Sequence, residues 1–211
     1  KKQVIAFITV PANHAGPSAE LIARLNNPDF DHPVEDVYLT HGLHDVEYDS
    51  IINRAKKSGL HNKAGDKVKL IFVPSYLNGM DGIFNLLYYE LLIGFDLSAF
   101  PSYYEPWGYT PLESLAFHIP TITTSLAGFG LWIKEKFPNY EPGAWVLERN
   151  DLNAEEVTAA MTRIIGEFAA FDANQTSAAR KLAWEISRIA LWDELMANYY
   201  QAFAMALEKA H

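Results

Sequence analysis

The stretch of residues 100–130 constrains the fold more than any other, because strand and helix signals alternate along it. A short apolar run, Leu97–Phe100, leads into the stretch and predicts a strand, and the β-rich run Thr121–Thr124 predicts another. A loop and a helix lie between them, and Ala127–Gly130 predicts a turn. In an open α/β sheet, ligands bind where loops leave the carboxyl ends of the strands. The loop that starts at residue 101 is therefore the expected binding loop.

The helix after this loop has a recognisable start. Thr110 is the predicted N-cap, Pro111 the first helical residue, and Glu113 follows the cap by three residues, as in a capping box. On that interpretation Glu113 only satisfies backbone N–H groups, and Glu105 is a solvated loop residue. The free N–H groups and partial positive charge of a helix start also suit a phosphate.

The loop is unusually rich in aromatic side chains. Tyr103, Tyr104, Trp107 and Tyr109 surround Glu105. Exposed aromatic rings beside a carboxylate are suited to binding sugars and nucleosides. This density favours a binding role for the loop over the purely structural interpretation.

Composition excludes several classes of partner. The 211 residues carry 17 Lys and Arg against 26 Asp and Glu, a net charge of −9, so nucleic acid and anionic membrane surfaces are not expected partners. No apolar run approaches the ~20 residues that span a bilayer, and the segment Lys1–Val4 has no signal-peptide pattern. The chain has no cysteine, which fits a cytoplasmic protein without disulfides or thiolate metal sites.

The rest of the chain continues the alternation of strands and helices. Three further strands are predicted at Val4–Val10, Val68–Val73 and Ala144–Leu147, the first of them buried on both faces. Helices are predicted at Pro17–Asn26, Ser50–Leu60, Ile83–Gly94, Leu131–Phe137, Asn153–Ala170, Thr176–Ile189 and Leu191–Lys209. This order predicts an α/β fold with a doubly wound parallel sheet. We assign residues 1–152 to a Rossmann-like domain and residues 153–211 to a helical extension of it.

Residues 26–48 are predicted to be irregular and polar. They contain His41 and His44, whose spacing could suggest a metal site. No helix or carboxylate pattern completes such a site, so surface histidines are the favoured interpretation.

The run PSYYEPWGYTP, at residues 101–111, closely resembles the carboxyl-terminal half of glycogen synthases of the eukaryotic type, which is also found in some bacteria. These are retaining glycosyltransferases of the GT-B fold, with a shared signature of Glu, seven residues and Glu. The similarity extends to Val68–Leu77 and Trp192–Lys209. It covers most of the chain and is far more specific than a lone glycine motif.

The resemblance implies roles for the loop residues. Glu105 would hydrogen-bond the hydroxyls of the transferred glucose, and Glu113 would accept from the ribose. The backbone of Gly108, Tyr109 and Thr110 would meet the diphosphate.

The resemblance also implies a base-binding site outside the loop. Tyr76 and Tyr88 would sandwich the uracil, although Tyr88 could instead be a core aromatic because its predicted helix is largely apolar. Trp107 is counted among the residues that bind the substrate.

Two departures from the family pattern stand out. The chain starts after the strand whose Arg and Lys neutralise the diphosphate, and after the amino-terminal GT-B domain that receives the glucan, which indicates a fragment. The helix that senses a sugar phosphate in regulated family members, Ser177–Ala190, keeps only Arg180, Lys181 and Arg188. Regulation by a sugar phosphate is therefore not expected.

The missing strand would lie between Val4–Val10 and Leu97–Phe100 in a sheet of this type. These strands would pair directly, recruit a neighbouring molecule, or pair with a separate piece of the parent protein.

The resulting functional expectation is glucosyl transfer from UDP-glucose or ADP-glucose to the non-reducing end of an α-1,4-glucan, with retention of configuration. No metal or other cofactor is implied, because cationic side chains can hold the leaving diphosphate. A glycoside hydrolase and a non-catalytic nucleotide- or carbohydrate-binding module are the alternatives. The isolated chain is expected to bind UDP weakly and to transfer no glucose.

Overall fold

The computed structural model describes residues 3–27 and 35–209, which form an α/β protein. Its strands are β1 Val4–Ile8, β2 His14–Pro17, β3 His41–Leu43, β4 Val68–Phe72, β5 Ser98–Ala99, β6 Thr121–Thr124 and β7 Ala144–Leu147. Its α-helices are α1 Ala19–Leu25, α2 Ser50–Lys57, α3 Tyr88–Leu92, α4 Tyr109–Ala116, α5 Gly128–Lys136, α6 Ala154–Ala170, α7 Ala173–Arg188 and α8 Trp192–Lys209. All five predicted strands are present, and every pairing among them is parallel. The α/β class and the Rossmann-like character are therefore confirmed.

The chain divides into two compact units, Lys1–Leu91 and Leu92–His211. In the first unit β1 pairs in parallel with β4, from Val4 opposite Val68 to Ile8 opposite Phe72. The other edge of β4 bonds to the segment before β3, where the Phe72 amide donates to the Tyr38 carbonyl at 2.7 Å. Side chains from β4 and α2 form the core of this unit.

The first strand is less buried than the sequence predicts. Ala6 and Ile8 pack against the core of the first unit, but Ile5, on the opposite face, is 55% exposed, and Val10 lies outside the strand. Alternation along a strand sends successive side chains to opposite faces. Among the described residues the face that carries Ile5 is left partly uncovered, so the prediction of a strand buried on both faces is wrong.

The second unit contains a parallel sheet of order β5-β6-β7 that is covered on both faces. On one face, Ala144 of β7 packs with residues of α4, α5 and α7. On the other, Trp145 and Leu147 pack with residues of α6 and with Ala179 of α7. All four residues of β6 are buried, as expected for a central strand between two helical layers. This arrangement is the doubly wound pattern that the sequence predicts.

Two predicted helices have different bounds in the structure. The helix expected at Ile83–Gly94 is reduced to α3, because the carboxylate of Asp81 accepts hydrogen bonds from the amides of Ile83, Phe84 and Asn85 at 2.8–3.0 Å. These bonds hold the amides in a turn, which competes with a helix for them. The turn expected at Ala127–Gly130 is the start of α5, so the helix begins three residues earlier than predicted.

His41 is fully buried, which corrects the prediction that it lies on the surface, whereas His44 is exposed as predicted. The Nε2 of His41 lies 2.7 Å from the carbonyl oxygen of Asp81. Because a carbonyl only accepts, Nε2 carries the proton. The Nδ1 of His41 lies 2.8 Å from the Thr40 hydroxyl oxygen, and this hydroxyl donates to the Phe72 carbonyl at 3.3 Å. Residues 28–34 of the segment predicted to be irregular lie outside the described residues; the rest of it includes β3 and a 3-10 turn at Val46–Tyr48.

Each of the two strands that flank the proposed gap has one strand partner among the described residues. β1 pairs with β4, and β5 pairs with β6. The two strands belong to different units, and all three expected ways of filling the gap stay predictions. The predicted boundary at residue 152 also stays a prediction.

The described helices include none that combines the length and apolarity needed to cross a bilayer. α8 has no buried residue and exposes several large side chains, including Trp192, Tyr200 and Phe203.

Asp81 gives the first unit a pH-dependent contribution to stability. Burial alone would raise the pKa of Asp81, but the backbone amides that donate to its carboxylate outweigh burial and hold the pKa below its ordinary value of 3.8. A lowered pKa in the folded state means that the contribution is fully present above the unfolded value and is lost as pH falls through the folded value.

We therefore expect Asp81→Asn to lower the free energy of unfolding at neutral pH by about 1–3 kcal/mol, because an amide nitrogen cannot accept the bond from Asn85. Urea unfolding of both proteins between pH 7 and pH 2 would measure this change in the free energy of unfolding. The variant should also show a flatter loss of stability below about pH 4. Equal stability of both proteins at neutral pH would contradict the anchoring role of Asp81.

A substitution at Gly130 tests how closely α5 approaches β6. A Cβ at Gly130 would lie 2.2 Å from the carbonyl oxygen of Thr124, whereas one at Gly166, exposed in α6, would meet nothing within 4 Å. We expect Gly130→Ala to destabilise the protein by about 1–3 kcal/mol through overpacking. The control Gly166→Ala should instead stabilise it by about 0.5–1 kcal/mol, because alanine is the better helix former. Urea unfolding measures both changes, and a stabilising Gly130→Ala would contradict the close contact.

Candidate functional site

The loop between β5 and α4 is fixed to the start of α5 by main-chain hydrogen bonds. The Glu105 amide donates to the Leu126 carbonyl at 3.2 Å, and the Gly128 amide donates to the Glu105 carbonyl at 3.1 Å. The Phe129 amide donates to the Trp107 carbonyl at 2.7 Å. Glu105 thus has a fixed backbone at the carboxyl edge of the second unit's sheet, with its side chain half-buried.

The helix α4 begins two residues earlier than predicted, with Gly108 as its N-cap in the left-handed region at φ 110°. Gly108 has no side chain with which to cap the helix, and Thr110, the predicted N-cap, is the second helical residue. Glycine adopts this conformation without the steric cost that a Cβ would add. The space at Gly108 is also narrow, since a Cβ there would lie 3.2 Å from Cγ of Pro111 and 3.4 Å from Cγ of Glu105.

The start of α4, whose N-cap is a glycine without a side chain, can bind an anion. The first N–H groups of a helix have no partner within the helix, and the helix dipole adds partial positive charge. Tyr109 and Thr110, the first two residues of α4, are exposed, and Glu113 lies half-buried on the same helix. An anionic group can therefore reach the backbone at the helix start, with Glu105 beside it.

The amino-terminal part of the loop is held by side chains from two neighbouring strand ends. The Thr124 hydroxyl donates to the Ser102 carbonyl at 2.8 Å, and Nη1 of Arg149 donates to the Pro101 carbonyl at 2.8 Å. The guanidinium carbon of Arg149 also lies 3.6 Å from the centre of the Tyr103 ring. The sequence interpretation did not single out Arg149; its place two residues after β7, at the same sheet edge as the loop, was the available signal.

The loop aromatics fall into two groups. Tyr104 and Tyr109 are 79% and 64% exposed and have rings available for contact with a ligand. Trp107 is half-buried, and its ring lies 5.6 Å from Phe129 and 5.9 Å from Trp132, measured between centroids. Trp107 therefore supports the core under the loop, and its predicted contact with substrate stays a prediction.

The two predicted base-binding tyrosines both belong to the first unit. Tyr76 is 75% exposed. The Tyr88 amide donates to the carbonyl of Leu77, the residue after Tyr76, at 3.1 Å, so the backbones of the two sites are neighbours. The Tyr88 ring is half-buried and lies 5.3 Å from the ring of Tyr89.

The three cationic side chains that α7 keeps are engaged within the protein. Nη2 of Arg180 donates to the Phe95 carbonyl at 3.1 Å and to Asp96 at 3.0 Å. Lys181 pairs with Glu185 at 3.7 Å. Arg188 lies 5.5 Å from the ring centre of Trp184, and the His118 ring stacks on the same indole.

One group of side chains in the described part of the chain has the spacing of a metal site: Glu35, Asp36 and His61. Its donor atoms already have partners, since Lys63 pairs with Glu35 while Tyr38 and His61 bond to Asp36. Two hydrogen bonds hold the pKa of Asp36 below its ordinary value: the bond from Tyr38 has the larger effect and the bond from His61 the smaller. These contacts explain the proximity of the three side chains as a surface network of ion pairs and hydrogen bonds.

Comparison with known proteins identifies the relatives of this chain. Residues 32–211 match the family model described as glycogen synthase. The chain is 32% identical over 164 residues to the glycogen [starch] synthase of Caenorhabditis elegans, covering 77% of this chain and 24% of the relative. It is 31% identical to isoform 2 from Saccharomyces cerevisiae, over 82% of this chain and 25% of the relative. It is also 31% identical to the liver enzyme of Mus musculus, over 81% and 24%.

The chain thus spans about a quarter of the length of the curated relatives that it matches. The family match includes the loop with Glu105, the start of α4 and all the elements of the second unit. The chain therefore belongs to the glycogen synthase family.

Proposed function

We propose that the protein carrying these residues transfers glucose from UDP-glucose to the non-reducing end of an α-1,4-glucan, with retention of configuration. The observation that carries this proposal is the start of α4 at a glycine N-cap, Gly108, with the Glu105 side chain close to it at the carboxyl edge of a parallel sheet. Such a helix start suits a diphosphate, and a neighbouring carboxylate suits sugar hydroxyls. The names of the relatives support the same activity.

In this proposal the donor is bound by side chains and by backbone groups. Tyr76 and Tyr88 stack on the uracil, Glu105 contacts the glucose hydroxyls, and Glu113 accepts from the ribose. The backbone at Gly108 and at the first two residues of α4 meets the diphosphate. An amino-terminal GT-B domain supplies the site for the glucan acceptor, and no cofactor is required.

The proposal is tested by donor titration and by a transfer assay. With the complete protein that carries this chain, calorimetry should show binding of UDP, and incubation with labelled UDP-glucose and glycogen should give labelled glucan whose new linkages have the α configuration by proton NMR. ADP-glucose in parallel tests the choice of base. Release of sugar from an α-1,4-glucan without added nucleotide would instead indicate a hydrolase, and binding without transfer a non-catalytic module.

The base site is tested by replacing its half-buried ring. We expect Tyr88→Ala to weaken UDP binding by about 1–3 kcal/mol, the usual value of stacking a base on an aromatic side chain. Tyr48→Ala is the matched control, because Tyr48 is a tyrosine of the same unit that is 84% exposed. Isothermal titration with UDP measures the affinity of both variants. An unchanged affinity in Tyr88→Ala would indicate that Tyr88 is a core aromatic and does not bind the base.

The two carboxylates should differ in kinetic effect. We expect Glu105→Gln mainly to lower kcat, because its contact orients the transferred sugar. Glu113→Gln should mainly raise the donor KM, because a ribose contact is similar in ground and transition states. Steady-state kinetics with varied UDP-glucose separates the two effects. Equal changes in kcat and KM for both variants would contradict the assigned roles.

A further inference from the structure

The loop that carries Glu105 is fixed at four of its first five residues. Arg149 holds Pro101 by a hydrogen bond and Tyr103 by its guanidinium face, Thr124 holds Ser102, and the Leu126 carbonyl holds Glu105. The attachments of Pro101 and Tyr103 depend on a single side chain, that of Arg149.

Arg149 is itself fixed from more than one direction. It follows β7 by two residues, and its amide donates to the hydroxyl of Ser125, after β6, at 3.0 Å. With the bond to Pro101, after β5, it joins the ends of all three strands of the sheet. Its Nε is buried without a hydrogen-bond partner, and among the residues that the structure describes no carboxylate pairs with it.

Arg149 as a whole is half-buried, but its Nε is buried without a partner, which costs favourable interactions with water. The contacts of its guanidinium indicate what the side chain does here: a planar group can stack on a ring while an edge donates in a fixed direction. A lysine at the same position would keep the charge but lose this fixed geometry.

We propose that Arg149 is a positioning residue that sets the path of the loop 101–105 and thereby places the Glu105 carboxylate for the reaction. The loop constraint stands on the contacts above, whereas the effect on catalysis rests on the proposed function. Arg149 acts through Tyr103 and Pro101, without touching substrate.

The test compares Arg149→Lys with the wild type in the complete protein that carries this chain. Because small displacements of a reacting group cost large factors in rate, we expect kcat to fall about 10- to 100-fold while the donor KM changes by less than about twofold. Hydrogen exchange, followed by mass spectrometry, should become at least about tenfold faster in a peptide covering residues 102–106. The matched control is Arg163→Lys, an exposed arginine paired with Glu167 on α6, which should change neither readout.

A second pair of variants keeps the test decisive if Arg149→Lys folds poorly. Tyr103→Leu removes the ring that Arg149 stacks on, whereas Tyr103→Phe keeps it. We expect faster exchange of the loop in the leucine variant and wild-type exchange in the phenylalanine variant. The double variant Arg149→Lys with Tyr103→Leu should lose no more kcat than the worse single variant, because both changes act on one contact.

Unchanged kcat and unchanged exchange in Arg149→Lys would overturn the proposal. Unchanged exchange together with UDP affinity weakened more than about tenfold would also overturn it, since Arg149 would then be a direct anion ligand. Faster exchange in a protein whose wild type transfers no glucose would support the loop constraint and refute the proposed function.

Discussion

The candidate site depends on main-chain pairing between two loops at the same edge of the second unit's sheet. Residues 105–107 bond to residues 126–129 by three backbone hydrogen bonds. The pairing brings backbones so close that a Cβ at Gly128 would lie 2.2 Å from the carbonyl oxygen of Pro106. Backbone bonds between neighbouring loops do not depend on side-chain rotamers, so they fix the direction in which α4 starts and the position of Glu105.

The same pairing links the site to the core. Trp107, between Glu105 and Gly108, packs its ring on Phe129, whose own amide closes the pairing. Phe129 is fully buried in the cluster that includes residues of α4, α5 and α7. The loop is thus supported from below by rigid elements, as a precise binding site requires.

The sequence predicts well those elements whose residues are decided by local pattern. Thr121–Thr124 and Ala144–Leu147 are found with the predicted bounds, because short apolar or β-branched runs between turns have few alternatives in a covered parallel sheet. The start of α4 was misplaced because the capping pattern at Thr110 competes with a left-handed Gly108, whose conformation depends on the packing around it. The shortening of the predicted helix at Ile83 depends on Asp81, a residue before that helix. Arg149 could not be connected to the loop from sequence, because its contacts join residues 48 positions apart.

The surroundings of Arg180 on α7 set how strongly this helix could respond to any dissolved anion. Because Arg180 pairs with Asp96, a dissolved anion has to compete with the Asp96 carboxylate for the guanidinium. An exposed pair of this kind is worth at most about 1 kcal/mol, so the paired form outnumbers the free form by about five to one. Only the free fraction binds, which raises the apparent dissociation constant of an anion by about sixfold at most. The ion pair with Asp96 therefore weakens anion binding at Arg180 only slightly. The small number of cations on α7 limits its response to anions more than this pairing does.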